Sequence, residues 1–346
     1  MELLPTEIVH HIAFTLPTLT PRDVLALALT SHHLFHTLFG SISNPNPYDV
    51  AQHRAKGGVV LCAHNNWARA ARLALRRGYG DPSGEDNYVF TWACQQGYAD
   101  LITILLADPR VDPVGNDHRA FQTACACGHK DVLRTLLADP LGRFDPSYAD
   151  NITANLPLLW TLESTTASRS TVAEIVRDLF LPDPRVDPAA DRSIVLIVAA
   201  KYGYVGLVEH LLEAYPDVDP AARRNKPIML AAEYGHVEMV KLLMAHPRVD
   251  CSARNNYALM WAGIRKHVDV VRLLLEDGRV DPGVKNNILV KDAARKGDLE
   301  MVKMLVGTGR VDLRGRKGES VVASAEKGGW DEVVDYIRGV VGGGDS

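Results

Sequence analysis

The stretch Asn225-Lys226-Pro227-Ile228-Met229-Leu230-Ala231-Ala232-Glu233-Tyr234-Gly235-His236-Val237-Glu238-Met239-Val240-Lys241-Leu242-Leu243-Met244-Ala245-His246-Pro247-Arg248-Val249-Asp250 decides the fold. Met229 to Tyr234 is helical in composition, with the small residues Ala231 and Ala232 at its centre. Gly235 ends that segment, because glycine takes the left-handed conformation at a helix C-terminus without a Cβ clash. Val237 to Met244 follows, with apolar residues at 237, 240, 243 and 244, which is helical spacing. Pro247 stops the second helix. The unit is therefore helix, glycine turn, helix, extended loop. Its alanine pair lets neighbouring helices approach closely, and Leu242 and Leu243 fill the space between units.

Outward from this stretch the same pattern repeats. A short motif built on apolar-Asp-Pro recurs, with its Asp at 81, 112, 145, 187, 219, 250, 281 and 312. The intervals are 31, 33, 42, 32, 31, 31 and 31 residues. The lead-in is nearly fixed too, as in Asp108-Pro109-Arg110-Val111-Asp112, Asp183-Pro184-Arg185-Val186-Asp187 and His246-Pro247-Arg248-Val249-Asp250. A second landmark follows most of these Asp residues by 16 positions: Gly97-Tyr98, Gly128-His129, Gly203-Tyr204, Gly235-His236, Lys266-His267 and Gly297-Asp298. Two landmarks that hold phase over this distance mean stacked supersecondary units.

The unit resembles the ankyrin repeat. The residues that carry the resemblance are Ala231-Ala232-x-x-Gly235-His236-x-Glu238-x-Val240-x-Leu242-Leu243, echoed by Ala293-Ala294-x-x-Gly297 and Val302-x-x-Leu305. It covers residues 55 to 340 and implies an all-α, ankyrin-type helical repeat solenoid of eight to nine units. The fourth unit is about ten residues too long against the usual period, and its Ser164 to Thr171 stretch reads as a surface loop insertion. The Thr-Pro-Leu-His opening of the family is missing, and only Pro227 survives. In its place an Asn often precedes the first helix (Asn87, Asn225, Asn256, Asn287), where it is expected to cap the helix by accepting a backbone N–H bond. The β-finger of the family is expected to be a plain loop here.

Residues 1 to 40 show none of the landmarks. Ile8, Ile12 and Leu16 lie four apart on one helix face, and Thr20-Pro21 starts a longer helix through Leu38. The segment looks like an F-box, on Leu4-Pro5-x-Glu7-Ile8, Ile12, Leu16 and Pro21-Arg22-Asp23-Val24-Leu25-Ala26-Leu27-Ala28-Leu29-Thr30-Ser31. That resemblance implies docking onto the Skp1-like adaptor of an SCF-type (Skp1–cullin–F-box) ubiquitin ligase, with Leu4, Pro5, Glu7, Ile8, Ile12 and Leu16 as the adaptor contacts. The other reading is a stand-alone ankyrin scaffold whose N-terminal helices only cap the solenoid. The expected organisation is a small helical F-box-like module (1–40), a linker (41–54), the array (55–340) and a flexible tail (341–346).

Composition narrows the function. The chain has 346 residues and carries 38 basic against 42 acidic side chains, a net charge of −4, so no general basic footprint for nucleic acid exists. No apolar run reaches the roughly 18 residues of a membrane span. The N-terminal residues have no basic region followed by a signal core. With five cysteines, an odd number, reduced thiols in the cytoplasm or nucleus are expected. No phosphate loop, His-Glu-x-x-His, Gly-x-Ser-x-Gly or Gly-x-Gly-x-x-Gly motif occurs, so no catalytic role, cofactor or metal is expected. Cys125-x-Cys127-x-His129 reads as packing, because Cys94 and Cys125 share one small-residue position a repeat apart. Trp92 and Trp261 read as core residues. A partner protein is expected on the concave face, at Tyr88, Gln96, Arg119, Tyr202, Arg224, Lys226, Tyr234, Tyr257 and Arg265, since Tyr and Arg are enriched in interfaces.

Overall fold

The computed structural model describes Val59 and residues 68–77, 81–148 and 155–342. The six expected adaptor contacts, Leu4, Pro5, Glu7, Ile8, Ile12 and Leu16, lie outside the described residues, as do Cys62 and residues 343–346, whereas Val341 and Gly342, expected in the tail, close the last helix. All regular structure among the described residues is helical. The helices are α1 (Ala68–Arg77), α2 (Gly84–Gln96), α3 (Ala99–Leu106), α4 (Gly115–Cys127), α5 (Lys130–Leu137), α6 (Leu156–Leu162) and α7 (Arg169–Ile175), the last continued by a π-helical turn at Val176–Phe180. They continue with α8 (Ala190–Tyr202), α9 (Val205–Ala214), α10 (Ala222–Glu233), α11 (Val237–Met244), α12 (Ala253–Ile264) and α13 (Val268–Glu276). Last come α14 (Val284–Arg295), α15 (Leu299–Val306), α16 (Arg316–Gly328) and α17 (Asp331–Gly342). The residues form two compact units: one up to Tyr148 with Ser164–Asp183, the other Ala149–Glu163 with residues from Pro184 on.

Within the second unit the first helices of successive repeats, α8, α10, α12, α14 and α16, pack on one another in order. Their contact residues are small: Ala199, Ala200, Ala231, Ala232, Ala262 and Ala294 are fully buried. The second helices α9, α11, α13 and α15 form a neighbouring row, with Leu211, Leu243, Leu274 and Leu305 fully buried. In the first unit α2 packs on α4, and Phe90, Phe121 and Phe144 share its core.

The periodic Asp residues build the loops. In all eight, the carboxylate accepts the backbone N–H two residues on, from Ser83, Val114, Ser147, Ala189, Ala221, Ser252, Gly283 and Arg314. This is an Asx turn, and in six of the eight a Pro after the Asp pre-sets the next φ. The chain then makes something that local rules do not anticipate. Three consecutive residues adopt left-handed backbone: Asp191–Ser193, Arg223–Asn225, Arg254–Asn256 and Lys285–Asn287, with φ between 48° and 63°. An N–H of the third residue donates back to the carbonyl four residues earlier, as from Asn225 to Ala221 at 2.8 Å, which closes the turn. Left-handed L-residues cost about 1–2 kcal/mol each, so such a turn needs compensation.

The compensation is the asparagine. Asn225 Oδ1 accepts the N–H of Asp250 at 2.8 Å, and Asn256 Oδ1 that of Asp281 at 2.9 Å. Asn287 donates to the carbonyl of Asp312 at 2.7 Å, and Asn155 to that of Asp187 at 2.6 Å. Asn87 accepts from Asp112 at 3.2 Å, and Ser193 accepts from Asp219 at 2.9 Å. These residues are therefore not N-caps of their own helices, as the sequence had suggested. Asn tolerates the left-handed region, and its amide reaches the landmark Asp of the following repeat.

A second seam joins the other end of the first helices. Gly235 has φ 78°, and the N–H of His236 donates to Ala231 O at 2.9 Å, the Schellman closure. A Cβ on Gly235 would stand 2.6 Å from the His267 ring of the next repeat. That ring leaves its own helix uncapped and bonds backwards instead, its Nε2 lying 3.0 Å from the Glu233 carbonyl. His129 does the same to Gln95 (2.8 Å), His236 to Lys201 (2.8 Å), Tyr204 to Leu162 (3.1 Å) and Trp330 to Arg295 (3.1 Å). A carbonyl only accepts, so these histidines carry their proton on Nε2. Where the next repeat offers the smaller Asp298 instead, Lys266 occupies the glycine position with φ 64°. Asp298 then caps its own helix, accepting from Met301 N–H. In the long fourth repeat Ala167 covers Gly128, and Ser164 Oγ and Thr166 Oγ1 both donate to Ala126 O, so residues 164–167 pack on α4 as a cover.

Asn256→Ala removes the acceptor of the Asp281 N–H and leaves alanine in left-handed backbone. The expected loss in urea unfolding is about 2–4 kcal/mol. Asn256→Gly keeps the backbone comfortable and is expected to lose less than Asn256→Ala; equal losses would show that the side-chain bond alone matters.

Candidate functional site

The first-helix side of the second unit carries an aromatic and cationic ladder. Its geometry starts from the turn: the residue after each left-handed asparagine opens the right-handed part of the helix and is displayed beside the turn. Lys226 follows Asn225, Tyr257 follows Asn256 and Ile288 follows Asn287. Lys226 Nζ sits 5.7 Å from the centre of the Tyr257 ring, joining α10 to α12. Tyr257 lies 5.8 Å from Trp261 one turn on, and the Arg265 guanidinium stands 5.8 Å over the Trp261 ring. Arg265 also approaches Glu233 at 3.5 Å. On the neighbouring repeat Lys201 donates to the Tyr202 hydroxyl at 3.1 Å, with its ammonium 4.6 Å from the Tyr202 ring and 6.0 Å from Tyr234. The Tyr202 hydroxyl holds the Lys201 ammonium above its ordinary range, and burial pushes the Tyr257 phenol up. Cation–π pairs at partly exposed sites contribute on the order of 0.5–1 kcal/mol each, so the ladder is ordered without being locked.

The expected contact residues thus divide. Tyr202, Lys226, Tyr234, Tyr257 and Arg265 come together on α8, α10 and α12, and Arg224 is exposed on the left-handed turn before Lys226. Tyr88, Gln96 and Arg119 lie in the other compact unit, where Tyr88 stacks on Trp92 at 6.2 Å and Gln96 and Arg119 are exposed. Lys201, Glu233 and Trp261 belong to the ladder and were not anticipated. Trp92 and Trp261 are half-buried rather than core residues, because each shares the exposed helix face with a tyrosine four positions earlier.

The loops carry a further set of arginines, from the recurring Pro-Arg-Val-Asp lead-in and its variants. Arg248, Arg279 and Arg310 each donate to the carbonyl thirty residues back, at Val218 (3.3 Å), Val249 (3.3 Å) and Val280 (2.8 Å). Arg310 also bonds the carbonyls of Asp277 and Leu275. Arg279 clasps Asp277 at 2.7 Å and holds its carboxyl down at about 2. These arginines serve the seam between repeats, which removes them from a recognition role. Burial likewise pushes the thiols of Cys94 and Cys251 up, the latter to about 12, so both are inert packing residues. Among the described residues no three His, Cys, Asp or Glu side chains gather as a metal group, and no helix is long and apolar enough to cross a membrane.

With this geometry the repeat has a name. Residues 196–286 match the family model described as ankyrin repeats (3 copies). Residues 196–286 are thus ankyrin repeats, a module of protein–protein interaction, in an array that is all-helical among the described residues and whose fingers are left-handed turns. A search of curated proteins finds no match to the chain.

The Asp277 clasp gives a pH prediction. Its carboxyl sits below the ordinary 3.8, so its stabilisation is complete above about pH 4 and is lost as pH falls towards 2. Discounting for the half-exposed Arg279, Asp277→Asn is expected to cost about 1–2 kcal/mol at pH 7. That difference from wild type should vanish near pH 2; a gap independent of pH would refute the ion pair.

Proposed function

We propose that this chain is a substrate-recognition receptor of an SCF-type ubiquitin ligase. In this reading the ankyrin array holds the target protein, and residues 1–40 dock onto a Skp1-like adaptor. The observation that carries the first half is the ladder Lys201, Tyr202, Lys226, Tyr234, Tyr257, Trp261 and Arg265, spread over three successive first helices. Tyr, Trp and Arg anchor protein interfaces, and Tyr234 is half-exposed although large and aromatic. A surface spread over several repeats suits a macromolecular partner better than a small molecule.

The second half rests on Leu4-Pro5-x-Glu7-Ile8, Ile12 and Leu16 and their F-box resemblance. A short helical segment cannot bury its own apolar face and needs another surface. The receptor itself needs no catalytic group, because tethering raises the effective concentration of target lysines near a recruited enzyme. On this reading the protein works in the cytoplasm or nucleus, where such ligases act.

A pull-down with purified Skp1, comparing the full chain with a Leu4→Ala/Pro5→Ala variant, tests the docking. Capture of wild type and loss in the variant are expected. No capture of wild type would refute the receptor reading and leave the N-terminal helices as a cap of the array.

A further inference from the structure

The loops that lead into the first helices of the second compact unit carry a row of cations without ion-pair partners among the described residues. The fourth or fifth residue after each landmark Asp is Arg192, Arg224, Arg254, Lys285 or Arg316, one per repeat through five consecutive repeats. All five are exposed. None makes an ion pair among the described residues, whereas the cations around them do: Arg223 with Asp191 at 2.7 Å, Arg279 with Asp277 at 2.7 Å, and Arg314 and Lys317 with Asp312 at 3.0 and 2.9 Å. At the twelve positions of the four left-handed turns the sole acid is Asp191, and Arg223 pairs with it.

The row has a direction and a spacing. The first four cations sit on the same left-handed turn of stacked repeats, and Arg316 opens α16 at the corresponding place. Packed helices stand about 8–10 Å apart, so the row offers roughly one positive charge per 10 Å. A peptide in the polyproline II conformation advances about 3.1 Å per residue with three residues per turn, so every third side chain lies on one face and falls opposite a turn. Immediately beside the row, Tyr257 and the 45% exposed Ile288 offer apolar contact.

We infer that this row binds an acidic segment of a partner protein in the polyproline II conformation, with carboxylates at about every third residue. The inference rests on the reading that the first-helix side of the array holds a protein, and it names the chemistry of what is held there. Nucleic acid fits less well. The chain carries a net charge of −4, and each cation stands four or five residues from a landmark Asp carboxylate. A peptide sets neutral residues against those carboxylates; an unbroken run of phosphates cannot.

Fluorescence anisotropy on the full chain tests this with a labelled peptide of about fifteen residues, bearing Asp at every third position and Gly, Ser and Tyr between. Comparison probes are a peptide of the same composition with its Asp residues gathered at one end, a peptide with Lys in place of Asp, and a single-stranded oligonucleotide of similar length. The turn variant is Arg224→Gln/Arg254→Gln/Lys285→Gln, with unchanged circular dichroism as the check of folding. The control variant, Lys241→Gln/Arg272→Gln/Lys303→Gln, removes the same charge from the second helices. The spaced acidic peptide is expected to bind wild type, to bind the turn variant about tenfold more weakly, and to bind the control within about twofold of wild type. No binding to wild type, equal loss in both variants, equal binding of the gathered or Lys peptide, or tighter binding of the oligonucleotide would each overturn the inference. Failure of adaptor docking would show in the Skp1 pull-down and would leave these affinities unchanged.

Discussion

Everything in the array depends on a buried amide in a costly backbone. At Asn225, Asn256 and Asn287 the chain has just made three left-handed residues, and the asparagine side chain ties that turn to the landmark Asp of the next repeat. The Asp in turn shapes its own loop through its carboxylate, so each turn holds the next. The arginine of the loop and the histidine of the glycine turn add a second and a third link to the same neighbour. A repeat of about thirty residues has too little core to stand alone. These polar links fix the register in which the alanine and leucine faces meet.

The seam and the recognition surface use the same turn without using the same atoms. Its third residue is buried and bonded, as Asn256 is at 5% exposure. Its first two point to solvent, as Arg254 and Asn255 do. Sequence at the exposed positions can therefore change from repeat to repeat while the fold stays constant. The ladder on α8, α10 and α12 extends this division along the helix: its cations rest on aromatic rings, and its alanines face the stack.

Much of this was legible in the sequence, and the parts that were not share a cause. The period, the glycine turn, the alanine pair and the second helix are all local signals, and α10 and α11 lie where their composition places them. The periodic Asp was visible too, but its work as an Asx turn leading into left-handed backbone was not. A local rule makes the asparagines N-caps because it looks three residues ahead, whereas the partner N–H lies 25 residues away. The arginine of the lead-in is a landmark whose role the sequence does not display, since its acceptor is a carbonyl thirty residues back. Repeat position alone puts Trp92 and Trp261 in the core, although the helix face they share with Tyr88 and Tyr257 is half-exposed. The 164–171 insertion read as a surface loop, and only the packing of Ala167 on Gly128 reveals that it replaces the missing histidine. Of the recognition surface, the tyrosines and Arg265 were legible by residue type. Their cation partners, and the row of unneutralised charges, needed the stacking of one repeat on another.

Side chains of the preceding repeat hold the loops between repeats as firmly as helices are held by their own backbone. Native-state hydrogen exchange at the backbone amides of Asp250 and Asp281 measures this directly, because in a plain loop nothing would protect them. The account predicts protection comparable to that of amides inside α10 and α12, falling selectively at Asp250 in Asn225→Gly and at Asp281 in Asn256→Gly. Exchange of both amides at the rate of an open loop, with the helices still protected, would contradict it.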